Sequence, residues 1–82
     1  MVKTLKEIES LTKQSDALTR KIAARWVAFG REVRTTRRES RMTLAELGAK
    51  SGIDQSLVSY LETGHRTVNM DTALKIVEAL CE

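Results

Sequence analysis

The chain contains no proline and only one cysteine, Cys81. One thiol cannot close an internal disulfide, and no cluster of Cys, His, Asp and Glu offers the ligands of a structural zinc site; no metal or cofactor is expected, and the fold must rest on packing. Aromatic residues are equally scarce: Trp26, Phe29 and Tyr60 are the full set, whereas Leu, Ala, Glu, Lys and Arg abound. That composition predicts an all-helical chain. No apolar run approaches the roughly 18 to 20 residues needed to span a bilayer, and residues 1–15 mix Lys, Glu, Ser and Thr instead of building a signal-peptide core. A soluble, cytoplasmic chain without a membrane partner is expected. With one histidine and no convergent base or nucleophile, nothing is present from which to assemble a catalytic site, so the chain does not read as an enzyme.

An excess of one charge is also lacking. The net charge of +3 over 82 residues is too modest to establish a nucleic-acid partner, and the length bounds the chain to one small domain with room for an extra arm. The distribution says more: residues 1–41 carry eleven Lys or Arg against five acids, and residues 42–82 carry three against six. Any basic surface belongs to the first half.

Within residues 2–14, Leu5, Ile8 and Leu11 form a narrow apolar stripe on a short helix that needs a partner. Ser15 or Asp16 is a cap for a second helix. There Leu18, Ile22, Trp26, Phe29 and Val33 recur at spacings of four, four, three and four, which places all five on one face of a helix running to about Ser40. Gly30 marks either a kink or a close-contact point. Opposite the stripe lie Arg20, Arg31, Arg34, Arg38 and Arg41, which form either a phosphate-facing band or an ordinary solvated face.

After Arg41 the elements shorten. Thr43 and Glu46 make a capping box for a helix over 44–51, which Gly52 ends. Asp54 caps a helix from Gln55 to about Thr63 with Leu57, Val58 and Leu61 inward, and Gly64 stops it. Asn69 caps a last helix from Met70 to about Leu80 with Met70, Ala73, Leu74, Val77 and Leu80 inward. Residues 43–64 are therefore two short helices joined by a tight turn, with Leu47 inward and Gly48 where a large side chain would push the helices apart.

This pattern resembles the helix-turn-helix of the Cro and phage-repressor class, also called the xenobiotic-response-element family. The resemblance covers residues 29–81 without a gap, and includes Arg37, Glu62, the glycine at Gly64 and the closing Ala79 and Leu80. It implies an all-α, five-helix, lambda-repressor-like domain over 29–82, preceded by an extended N-terminal helical arm over 1–28. It also implies an ion pair between Arg37 and Glu62 that ties two helices together, so that removing either partner would cost several kcal/mol through an uncompensated charge. The sequence departs from the family at Leu44, often a glutamine that touches phosphate; at Gly48, commonly alanine; at Arg41, often glycine; and at Val68, often proline.

In this class the second helix of the motif lies in the major groove of double-stranded DNA. With its apolar residues inward, the outward set is Gln55, Ser56, Ser59 and Tyr60. Gln55 is the expected reader, because a primary amide can both give and take a hydrogen bond at adenine. That helix carries no Lys or Arg, so phosphate contacts are expected from Thr43, Lys50, Thr63, His65 and Arg66, together with Arg38 and Arg41. A homodimer on a palindromic operator follows from the small reach of one domain. Its contact is assigned to the arm through Leu5, Ile8, Leu11, Leu18, Ile22 and Trp26, with fold-back of the arm onto its own domain as one alternative. The ends of the last helices, around Val68, Met70, Leu80 and Cys81, are the other. The function expected is a sequence-specific transcriptional regulator, foremost a repressor; the alternative is an antitoxin whose arm binds a toxin while the motif autoregulates the operon.

Overall fold

The computed structural model describes residues 1–12 and 19–81, and the side chains of residues 1–10 and 22–81. Five α-helices follow one another: α1 (Val2–Thr12), α2 (Thr19–Glu39), α3 (Leu44–Ser51), α4 (Gln55–Glu62) and α5 (Met70–Leu80). No strand occurs among the described residues, and no helix of theirs is long and apolar enough to cross a membrane. The expected cap at Ser15 or Asp16 lies outside the described residues.

The spine of the fold is α2. Trp26, Phe29 and Val33 are buried along one face, with the Trp26 and Phe29 rings edge to face at 5.7 Å. Of the two roles open to Gly30, the structure shows the close contact: α2 runs unbroken through it. A Cβ at Gly30 would overlap the carbonyl oxygen of Leu61 and stand 2.9 Å from that carbonyl's carbon. Only glycine lets the α2 and α4 backbones approach so closely.

At its C-terminus α2 closes with Arg41 N–H donating to the Arg38 carbonyl at 3.0 Å and Met42 N–H to the Arg37 carbonyl at 3.0 Å. This is the Schellman pattern, and it requires a left-handed residue at position 41. Arg41 supplies it with φ 55°, the one non-glycine residue at positive φ in the described chain. The α4 terminus uses the same two bonds, Gly64 to Leu61 and His65 to Tyr60, but there the left-handed residue is Gly64. The cap of α3 is as expected: Glu46 N–H donates to the Thr43 hydroxyl, Thr43 N–H donates to the Glu46 carboxylate, and Gly52 ends the helix at φ 72°.

One core gathers side chains from all five helices: Leu5 and Ile8, Trp26, Phe29 and Val33, Leu47, Val58 and Leu61, then Ala73, Ile76, Val77, Ala79 and Leu80. Two inward assignments need correction. Leu74 is 47% exposed while Ile76 is fully buried, because Ala73, Ile76, Val77 and Leu80 define the buried face and Leu74 lies past its edge. Leu57 is only half-buried, since the buried face of α4 turns toward Val58, Leu61 and Glu62.

The first helix departs most from expectation. It packs against α2 and α5 of its own chain, with Leu5 at 3% and Ile8 at 2% exposure. Polar ties hold its flanks: the Thr4 hydroxyl donates to Glu32 at 2.5 Å, the Met1 amine meets Glu32 at 2.7 Å, and Arg25 meets Glu7 at 2.7 Å. Burial pushes the Glu32 carboxyl up, but the bonds from the amine and from Thr4, with the amine's charge, bring it below its ordinary value. Leu5, Ile8 and Trp26, expected at a dimer contact, are buried in this chain's own core, the fold-back arrangement named as an alternative. Ile22 is half-buried against the same core; the side chains of Leu11 and Leu18 lie outside those described. The division at residue 28 falls inside α2, and side chains on both sides of it share one interior.

Candidate nucleic-acid interface

The geometry of the site begins with the α3–α4 corner. After Gly52 turns the chain, the Asp54 carboxylate accepts from Ser56 N–H at 2.7 Å and starts α4. At Gly48 a Cβ would stand 3.0 Å from the Ile53 carbonyl oxygen and 3.4 Å from Gln55 N, so this position keeps the corner tight. Val58, Leu61 and Glu62 turn α4 inward.

That packing decides what α4 shows to solvent. Gln55, Ser56 and Tyr60 are exposed and Ser59 is half-exposed. At 100° per residue the four span about 140° of the helix surface. The face is free of charge, rich in groups that both donate and accept, and carries an aromatic ring 52% exposed. An exposed ring on a short helix in an aromatic-poor chain is not explained by the core.

Arg37 and Glu62 fix this helix to the spine. Arg37 Nε donates to Glu62 Oε2 at 2.8 Å and Nη2 donates to Oε1 at 2.9 Å, while Nη1 donates to the Met42 carbonyl at 2.8 Å. The fork thus joins α2, the α2–α3 turn and the end of α4. The hydrogen bonds to Glu62 raise the Arg37 guanidinium above its ordinary value, burial opposes this, and the charge attraction adds to it. With the Glu62 side chain only 3% exposed, losing either partner would strand a charge away from water.

The residues expected at phosphate take several positions around this face. Thr43 is exposed at the start of α3; its oxygen accepts from Glu46 N–H, which leaves its hydroxyl proton to donate. Lys50 is exposed in the last turn of α3. Arg66 is exposed in the α4–α5 loop, beside a shallow groove lined by Trp26, Val27 and His65. Arg38 and Arg41 are exposed at the end of α2. Thr63 is a different case: its hydroxyl donates to the Ser59 or Tyr60 carbonyl at 3.1 and 3.2 Å and meets His65 Nδ1 at 2.8 Å. These two side chains trim the end of α4, and both residues are exposed.

Two residues that the sequence leaves as either a phosphate-facing band or a solvated face also border it. Arg31 and Arg34 line a depression with Thr35, Arg38, Glu62 and Thr63, beside the end of α4. Their spacing opposite the apolar stripe was the available signal, but spacing alone does not separate them from a solvated face.

Residues 33–80 match the family model described as helix-turn-helix. The match begins inside α2 and ends with α5. No curated protein and no solved structure matches the chain.

Proposed function

Because this chain belongs to the Cro/C1-type helix-turn-helix family and is a DNA-binding transcriptional regulator, we propose that it acts as a repressor, occupying a palindromic operator as a homodimer. The observation that carries this reading is the outward face of α4. A helix locked to the fold on one side by Val58, Leu61 and the Arg37–Glu62 fork presents only Gln55, Ser56, Ser59 and Tyr60 on the other. Gln55, in the first turn, is the base reader, its amide matched to adenine N6 and N7 in the major groove. Ser56 and Ser59 adjust to several bases, and Tyr60 offers its ring to a thymine methyl. Thr43, Lys50, Arg38, Arg41 and Arg66 hold the backbone on either side, so sequence is read by neutral groups and affinity comes from the cations around them.

With α1 consumed by the core, the dimer contact falls to the other surface named from sequence. Cys81 is exposed there and Val68 and Met70 are half-buried, while Leu80 is itself buried in the core. The antitoxin alternative has the arm bind a toxin; Leu5 and Ile8 are buried in this chain's core, and co-purification of a small toxin would favour that alternative.

Selection of bound duplexes from a random library tests the reading. The wild-type chain is expected to enrich a two-fold symmetric sequence. Gln55→Ala, with its fold intact, is expected to relax preference at one base pair per half-site by about 1–3 kcal/mol. No enrichment by the wild type would sink the proposal, and an unchanged logo for Gln55→Ala would remove that residue from the reading set.

A further inference from the structure

On α2, Arg31, Arg34 and Arg38 lie within an arc of about 60° on the side away from Phe29 and Val33. All three are exposed, and among the described residues none is joined to an acid by an ion pair. The acids that line the same surface depressions are already engaged: Glu32 by Thr4 and the Met1 amine, and Glu62 by Arg37. The depression that holds the three arginines ends at Thr63, where α4 stops. A second depression shares Arg31 and continues to Lys3 on α1. The docking of α1 thus extends the row with a fourth exposed cation.

We propose that Lys3, Arg31, Arg34 and Arg38 form a phosphate track that grips duplex DNA flanking the base pairs read by α4. The inference rests on the DNA-binding reading above and assigns to α1 a part in it. Arg31 to Arg38 spans about 10 Å along the helix at 1.5 Å per residue. One DNA strand places a phosphate about every 3.4 Å of duplex axis, so the row matches about three phosphates. The track leads from the end of α4 toward α1, away from the reading face, so its phosphates belong to flanking sequence and it carries no base preference.

The test compares the full chain with its Arg31→Gln/Arg34→Gln variant on two duplexes: the selected site alone, and the same site extended by about ten base pairs at each end. Both side chains are exposed, so melting temperatures should agree. On the extended duplex the slope of log K against log salt is expected to flatten by about 1.8 in the variant, from two contacts at about 0.9 each. Between about 50 and 200 mM salt, that slope difference is worth about tenfold in relative affinity. On the short duplex the two proteins should bind nearly alike, with the same selected sequence. Equal slopes on the extended duplex, with both proteins bound, would overturn the track while leaving the DNA-binding reading in place. Failure of the wild type to bind either duplex would overturn both.

Discussion

Arg41 occupies a backbone position at which most L-residues are strained. Its φ of 55° completes the Schellman turn of α2, and the same role at the end of α4 is filled by Gly64. A side chain held in the left-handed region costs roughly 1–2 kcal/mol relative to glycine. Arg41→Gly is therefore expected to stabilise the chain by about 1 kcal/mol, raising the thermal midpoint by about 4–8 °C. If Arg41 holds phosphate, the same substitution should weaken DNA binding and flatten the salt slope by about 0.9. Thermal melts and salt titrations on one protein sample check the two changes. A lower midpoint would show that the arginine side chain contributes more to the fold than its backbone costs. The departure from the family's usual glycine was legible from the resemblance; its backbone conformation was not, because φ follows from the turn's hydrogen bonds and not from residue type.

At the scale of the element, α1 is the informative case. Its stripe was legible, and so was its need for a partner; spacing alone could not say whether that partner is the same chain or a second one. Three apolar residues at intervals of three give no information about sequence distance. The selecting contacts are polar, Thr4 to Glu32 and Arg25 to Glu7, and they link positions too far apart for any periodicity to register. The α3 and α4 helices were legible almost to the residue, because their caps are local: Thr43 with Glu46, Asp54 with Ser56, and Gly52 at the turn. On α5, Leu74 and Ile76 exchanged roles because either satisfies an amphipathic pattern until the neighbouring helices are placed. Ile8→Ala is expected to cost about 2–5 kcal/mol, as for any large aliphatic side chain removed from a core. Denaturant melts would register this as a lower midpoint, with no change of mass by sedimentation. A change of mass at unaltered stability would return α1 to the role of a dimer contact.

For the whole molecule, the uneven charge along the chain acquires a spatial meaning. The helix proposed to read bases is free of Lys and Arg, and the basic half of the sequence wraps it with Arg31, Arg34, Arg37 and Arg38 on one helix, of which only Arg37 is tied down. A monomer of this size can address only a few base pairs, so the homodimer proposal carries a geometric expectation. Half-sites should lie about 10–10.5 base pairs apart, centre to centre, and inserting about five base pairs between them should abolish tight binding. Electrophoretic mobility shifts on a spacer series would measure this; indifference to spacing would rule out a rigid dimer. A further consequence belongs to the contact of Gly30 with the Leu61 carbonyl. Because α4 is seated by backbone against backbone at that point and by the Arg37 fork at its end, its orientation owes little to the four side chains on its outer face. Those four positions are interchangeable parts: a variant library confined to residues 55, 56, 59 and 60 would alter the chain's genomic address without retuning its architecture.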